Sequence, residues 1–357
     1  NHGGKLKLNK LSCMKKHKPA DIIQDIQYFG EYGGVNPSIA DSSTFTYLAG
    51  KTMEMVFGGE REGCYLYSRH MNPSIGYLAE AIANIENTGA AHVSASGMGS
   101  ISSTIMQLCK SGDHIVSSRT IYGGTYAFMK NFLPRLNIST SFVDTTNLDA
   151  VKSAICDNTK ILYCETMSNP LLEISDIKKL AEIAHKNNLK LLVDNTFTPL
   201  IFSPAELGAD IVIHSLTKFI NGASDTVGGV ICSTKEFVGD LIDVNEGAAM
   251  LFGPTMDAIR ANGILKNLRT LPIRIKQHSY NALFLANKFK ELGLKVHYPG
   301  LESHPQHELM KQQMNEGFGF GDINFRKKAK NKLDKFINNA GTLILASHSE
   351  DLLKKYC

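Results

Sequence analysis

Lys218 is the residue from which the chemistry of this sequence can be read. It follows a short apolar run, 211–213, that reads as a buried strand, and two hydroxyls, Ser215 and Thr217, stand beside it. A lysine at the end of a buried strand sits where desolvation disfavours the ammonium form, and a lowered amine pKa is what Schiff-base chemistry requires. The plainer reading of one such lysine is a surface residue closing a strand, so the case rests on what else falls in equivalent places. Asp194 ends the apolar run 191–193, where a carboxylate could pair with a ring nitrogen. Ser96-Gly97-Met98-Gly99 joins a strand to a helix. Backbone N–H groups at a helix N-terminus attract anions, and glycines permit close approach. Tyr122, in the loop 121–125, could stack on a planar ring. Taken singly, Asp194 caps a turn, Tyr122 is a core or rim tyrosine and Ser-Gly-Met-Gly is an ordinary connection. Taken together, phosphate cradle, carboxylate, stacking aromatic and amine describe a site for pyridoxal 5′-phosphate (PLP).

The elements that must position these residues alternate along the chain. The periodicity predicts strands over 92–96, 114–117, 140–144, 160–165, 190–194, 210–214 and 228–232. Between them it predicts helices: one through Leu78, Ile82 and Ile85, one through Ile101, Ile105 and Leu108, one over 126–132 stopped by Pro134, and others over 149–155 and 176–186. Ser175 reads as the N-cap of the last of these. Further helices are read over 257–271 and 276–292, the second burying Ile275, Leu283, Ala286 and Phe289. Strands alternating with helices at this interval argue for an α/β fold with a mainly parallel sheet covered on both faces. Ligands of such sheets bind at the carboxyl ends of the strands, where all four candidate features fall.

Composition excludes several classes. The 357 residues are 43% hydrophobic and 20% charged, ordinary for a globular protein of one large or two smaller domains. The net charge of +4 is concentrated at the ends: residues 1–18 contribute +6 and residues 322–357 contribute +4, leaving −6 on the body. That distribution, without a basic patch interleaved with aromatics, does not suggest a nucleic-acid partner. No apolar run is long enough to span a membrane, and the lysine-rich start lacks the apolar stretch of a secretory signal. A chain opening on Asn1 reads as a fragment or a processed product. The seven cysteines are scattered without a C-x-x-C pair, which argues against a metal site or disulfide framework and for a reducing cytoplasm. Gly50-Lys51-Thr52 echoes a nucleotide-binding loop, but Phe45 stands where its first glycine is required.

Six ordered motifs carry a more specific signal. Tyr67-Ser-Arg69 with Asn72-Pro73, Ser96-Gly-Met98, Tyr122-Gly-Gly124, residues 165–170 (ETMSNP), residues 193–196 (VDNT) and residues 214–218 (HSLTK) resemble the Cys/Met-metabolism PLP-dependent enzymes. That family includes cystathionine γ-synthase, cystathionine γ-lyase, methionine γ-lyase and O-acylhomoserine sulfhydrylase. The resemblance implies an aspartate-aminotransferase-type (fold type I) architecture with a seven-stranded-type sheet. It implies that Lys218 holds PLP and shuttles protons, that Asp194 pairs with the pyridine nitrogen, and that Tyr122 stacks on the ring and assists at the γ leaving group. Gly97, Met98, Ser215 and Thr217 would hold the phosphate, and Asn169 would lie near the ring. Tyr67 and Arg69 would reach the neighbouring subunit's site, which implies a homodimer or homotetramer. The implied reaction is γ-elimination or γ-replacement on a sulfur amino acid or O-acylhomoserine. Gly124 departs from the Tyr-Gly-Cys usual in methionine γ-lyases. Ala127 stands where cystathionine-handling members carry an arginine, which favours a small uncharged γ substituent and the methionine γ-lyase or O-acylhomoserine sulfhydrylase type.

The resemblance implies four segments: an N-terminal arm (1–60), a PLP-binding large domain (61–250), the start of a small C-terminal domain (251–321) and a tail outside the family (322–357). Within that tail, residues 321–329 and 341–349 resemble the last part of an ABC-transporter ATP-binding subunit, with His348 at its switch position, although the chain has no phosphate-binding loop to match. A tail of that kind reads as a fusion or assembly artefact and leaves the C-terminal domain incomplete. It also leaves the family's carboxylate-clamping arginine without a counterpart, so a PLP-binding but inactive remnant stands as an alternative.

Overall fold

The computed structural model describes residues 17–57 and 63–322. Seven strands form one sheet: β1 Ala90–Ser94, β2 His114–Ser118, β3 Ser139–Val143, β4 Thr159–Glu165, β5 Lys190–Asp194, β6 Ile211–Ser215 and β7 Gly229–Ser233. Their spatial order is β1-β7-β6-β5-β4-β2-β3. β3, β2, β4, β5 and β6 are mutually parallel, and β7 runs antiparallel to both of its neighbours, β6 and β1.

Twelve α-helices flank the strands among the described residues: α1 Pro19–Asp25, α2 Gly50–Phe57, α3 Pro73–Glu86, α4 Gly97–Leu108, α5 Gly123–Ala127, α6 Leu148–Ala154, α7 Ile177–Lys186, α8 Lys235–Leu241, α9 Ala248–Phe252, α10 Ala258–Leu268, α11 Leu271–Glu291 and α12 His307–Gln313. Successive strand residues point to opposite faces, so a strand covered on both sides must be apolar throughout. Leu162, Cys164, Leu191, Val193, Val212 and Val230 enter one core with α3, α7, α10 and α11. Ile161, Tyr163, Leu192, Ile211, Ile213 and Ile231 enter the other with α4. Ile23 of the N-terminal arm and Tyr298, Leu301, Met310 and Phe318 near the far end join the first core. No helix among the described residues is long and apolar enough to cross a membrane.

Several local expectations are corrected. α7 is capped by Asp176, which accepts from Lys179 N at 3.2 Å, while the Ser175 hydroxyl donates to Glu165 O at 2.7 Å. Ser175 is thus spent on β4. The helix expected over 126–132 starts earlier, at Gly123, widens over Phe128–Phe132 and tightens into a 3-10 turn over Leu133–Leu136. Pro134 sits in the first turn of that last segment, where it has no helical N–H bond to lose, so it does not stop the chain at 132. β1 ends at Ser94 rather than 96, because Ser96 is the N-cap of α4.

Candidate active site

The register of the three central strands makes the site. Glu165 of β4 is level with Asp194 of β5, and Asp194 is level with Ile213 of β6. The carboxyl ends therefore present Glu165, Asp194 and Ser215 along one edge. A cavity of about 540 Å³ opens there, and Ser96, Gly97, Met98, Tyr122, Asn169, Asp194, Ser215, Thr217 and Lys218 all line it. Its apolar walls are Ile101, Met167, Phe197, Phe219 and Val227. Eight of the ten residues singled out from the sequence thus meet in one place; Tyr67 and Arg69 do not line it.

α4 points its N-terminus at the cavity. The Ser96 hydroxyl accepts from Gly99 N at 3.0 Å, and Gly97 lies so close to β6 that a Cβ there would stand 2.9 Å from Ser215 Cβ. Glycine is what lets the helix start and Ser215 share one corner. Thr196 Oγ1 accepts from Ser215 N at 2.7 Å, and Thr217 Oγ1 accepts from Gly228 N at 3.0 Å, so both hydroxyl-bearing segments are fixed from behind. Main-chain N–H groups, two hydroxyls and a helix N-terminus form a cradle suited to a phosphate.

Asp194 is buried, accepts from Thr196 N at 2.9 Å and receives the Tyr163 hydroxyl at 3.4 Å. Burial raises its pKa, against the opposing pull of the Thr196 bonds. His214 and the Tyr163 hydroxyl pull the same way as Thr196. A buried carboxylate on the wall of this cavity is the partner a protonated ring nitrogen needs. On that chemistry, and on the cradle at Gly97, the residues fit PLP.

Tyr122 is 58% exposed and its ring lies over Gly124, where an added Cβ would meet Cε1 at 2.6 Å. Gly124 thus gives the tyrosine its place. The Tyr122 main chain donates to Glu165 Oε1 at 2.6 Å. Glu165 and Thr196 were quoted within their motifs but given no role, and Phe197, Phe219 and Val227 were not singled out. Thr196 was within reach of sequence reasoning, since a hydroxyl two residues after a strand-end aspartate is a common local hydrogen-bond spacing. Burial, then the neighbouring Asp194, pushes the Glu165 carboxyl from 4.5 up to about 8.

Lys218 sits on the turn after β6 with its side chain exposed, its N–H donating to Ser215 O at 3.3 Å. The expectation that burial after the strand desolvates this amine is therefore corrected: the turn carries Lys218 out of the core and up to the cavity. Arg69 donates to Met250 O at 2.7 Å and lies 5.4 Å over the exposed ring of Tyr67.

Comparison with known proteins places this geometry. The sequence pattern of the family described as Cys/Met metabolism PLP-dependent enzyme matches residues 22–350. The chain is 44% identical over 333 residues to methionine gamma-lyase of Arabidopsis thaliana, covering 90% of this chain and 75% of that protein. It is 39% identical over 293 residues to O-succinylhomoserine sulfhydrylase of Pseudomonas aeruginosa, covering 81% and 70%. The crystal structure of metB from Corynebacterium glutamicum superposes with a TM-score of 0.79 at 32% identity, covering 94% of this chain and 84% of that one. The family match runs well past residue 321, so the expected change to an ABC-transporter segment is not borne out; His348 and the other residues of that tail lie outside the described residues. This fold-type-I chain, with PLP as its cofactor, belongs to the Cys/Met metabolism PLP-dependent enzymes.

Proposed function

We propose that this enzyme performs γ-elimination or γ-replacement on a sulfur amino acid or O-acylhomoserine, with methionine-type γ-elimination as the reading supported best. The observation that carries it is the convergence of Lys218, Asp194, Tyr122 and the α4 cradle on one cavity that also presents the apolar side chains of Ile101, Met167, Phe197, Phe219 and Val227. Bound PLP supplies an electron sink for the negative charge that develops at the substrate's Cα and Cβ. The chain's own residues do the rest. Lys218 Nζ is the amine that holds the cofactor's aldehyde carbon and, once released, the base that moves the proton at Cα. The Asp194 carboxylate keeps the ring nitrogen protonated. Gly97, Met98, Ser215 and Thr217 anchor the phosphate, and Asn169 borders the ring. The Tyr122 hydroxyl delivers a proton to the leaving γ substituent. Met167, Phe197, Phe219 and Val227 seat that substituent and exclude water.

The substrate class follows from charge. Lys218 is the only basic side chain on the cavity wall among the described residues, so nothing there would pair with a distal carboxylate. A small uncharged substituent such as methylthio or acetoxy suits such a wall better than the amino-acid half of cystathionine. Similarity to methionine gamma-lyase of Arabidopsis thaliana supports the same choice. Similarity to a cystathionine gamma-lyase of Bacillus subtilis, at 39% identity, keeps cystathionine as the second reading. We read residues 61–250 as the PLP-binding domain, residues 251–321 as the start of the small domain, and the assembly as a cytoplasmic homodimer or homotetramer in which Tyr67 and Arg69 reach the neighbouring site.

The test is direct. Protein mixed with PLP should absorb in the visible, carry PLP on Lys218 after borohydride reduction, and release 2-oxobutanoate from methionine faster than from cystathionine. Lys218→Ala should lose all three properties. Colour without turnover of methionine, cystathionine or O-acetylhomoserine would identify an inactive PLP-binding remnant. A wild type that takes up no PLP would sink the reading altogether.

A further inference from the structure

We propose that Arg274, on the first turns of α11, is the positioning residue for Lys218, setting where the amine stands at the cavity mouth; this rests on the reading of Lys218 as the PLP lysine.

The turn that carries Lys218 is closed by its own main chain and held from outside by α11. Lys218 N bonds to Ser215 O at 3.3 Å, Asn221 N to Leu216 O at 2.9 Å and Gly222 N to Lys218 O at 2.8 Å, and the carbonyls of Phe219 and Ile220 face α11. Arg274 takes both. Its Nη1 donates to Phe219 O, its Nη2 donates to Ile220 O at 3.0 Å and to Asn267 O at 3.2 Å, and its Nε donates to Thr270 Oγ1 at 3.1 Å. Each guanidinium nitrogen is spent on a carbonyl or hydroxyl, and none of these bonds goes to a carboxylate. A planar fork with donors in fixed directions can join two adjacent carbonyls to a helix; a lysine ammonium at this place cannot reproduce both.

Two further features point the same way. Gly222 has φ +70° and passes so close to Arg274 that a Cβ would lie 2.2 Å from Nη1, so the turn is shaped around the guanidinium. One helical turn beyond Arg274, His278 meets the edge of the Phe219 ring, with centroids 5.5 Å apart at 86°. α11 therefore grips Phe219 by its carbonyl and by its ring, and Phe219 is both the neighbour of Lys218 and a wall of the cavity. The Asn267 amide adds a bond to Asn221 Oδ1 at 2.9 Å, tying the same turn to α10. Reactive groups lose much of their effect when misplaced by about an ångström, so a brace on the adjacent carbonyls acts on Lys218 without touching cofactor or substrate.

The experiment compares wild type, Arg274→Lys, Arg274→Met, Thr270→Val and, as a stability control remote from the turn, Ile177→Val. Two properties are read: the pH midpoint of the visible absorbance of Lys218-bound PLP, and amide hydrogen exchange of residues 216–222 in the protein without PLP. Arg274→Met is expected to move the midpoint by about half a pH unit or more and to speed exchange by about tenfold. Arg274→Lys should fall between it and wild type, and Thr270→Val should shift both readouts the same way by less. Ile177→Val should lower the melting temperature and move neither. If Arg274→Met does not fold, Thr270→Val decides alone. An unchanged midpoint and unchanged exchange in the folded variant overturn the inference. Failure of wild type to carry PLP on Lys218 overturns instead the function proposed above, and the exchange measurement still decides whether Arg274 braces the turn.

Discussion

Glu165 is the residue whose chemistry the strand pairing creates. Neighbouring parallel strands end on carboxylates at the same level, Glu165 and Asp194, and both are buried. Two such groups cannot both ionise cheaply in a dry corner, so burial and mutual repulsion raise Glu165 from 4.5 to about 8, and burial shifts Asp194 in the same direction. Folded protein without PLP thus keeps a proton on Glu165 at pH values where an unfolded glutamate has lost it. The stability this group contributes is full below the lower value and is lost as pH rises through the upper one. Glu165→Gln keeps an acceptor for Tyr122 N but removes the titration. The melting temperature of the PLP-free variant should therefore change less between about pH 5 and pH 8 than that of wild type, whose stability should fall with rising pH over that interval. Identical slopes in the two proteins would mean that Glu165 does not titrate there. None of this was legible locally. Asp194 could be picked out because it ends a short apolar run, and Glu165 ends a similar one. Its pairing with Tyr122, however, spans 43 positions and depends on which strand lies beside which. The exposed Lys218 shows the same limit from the other side. Its place after a strand was legible, but its exposure is set by the turn that carries it out of the core.

At the scale of elements, α4 does the most for the site with the fewest residues. Ser96 caps it, Gly97 lets it touch β6, and its first residues line the cavity. Gly97→Ala would drive Ser215 aside by several tenths of an ångström and widen the corner proposed to hold the phosphate. Affinity for PLP should fall by about tenfold, measured by equilibrium dialysis, while the capping bond of Ser96 keeps the helix and the melting temperature of the PLP-free protein changes little. Unaltered affinity would show that the phosphate does not use this helix start. The signal for α4 was readable because a cap, two glycines and an apolar stripe are all local. β7 was readable as a strand but not in its direction. It runs antiparallel because residues 216–228 are spent on the lysine turn and its return, leaving no crossover helix to bring it round parallel. α7 likewise existed as predicted, yet its cap was misassigned, since two adjacent hydrogen-bonding residues, Ser175 and Asp176, could each have served and only the tertiary demand of β4 chose between them.

The whole molecule ties distant parts of the chain to the strand ends. Gln306 and Gln313, from the α12 region, each bridge a main-chain N–H and C=O of the segment after β4, at Ile174 and at Ser175 and Ile177. The Asn315 amide donates to Leu200 O at 2.9 Å and to Ser203 Oγ at 3.0 Å, in the segment after β5. The site is thus framed by residues from most of the described chain, while Tyr67 and Arg69 stand apart from it. Arg69 is exposed, bonded to Met250 O and laid over an exposed tyrosine, an arrangement that leaves both side chains facing outward next to α9. A polar pair held ready outside its own cavity makes sense if a second copy brings it to the neighbouring cavity across a two-fold axis, each chain serving the other. That arrangement has a consequence no single-chain role shares. Arg69→Ala and Lys218→Ala should each be inactive alone. When the two are denatured together and refolded, or co-expressed, a mixed dimer contains one site with Lys218 from the first chain and Arg69 from the second. Random pairing makes half the dimers mixed with one intact site in two, so about a quarter of wild-type turnover should return. Mixing the same chains after folding should restore less, in proportion to how slowly subunits exchange. If Arg69 instead acts within its own chain, every site in every mixture lacks either Arg69 or Lys218, and refolding together restores nothing.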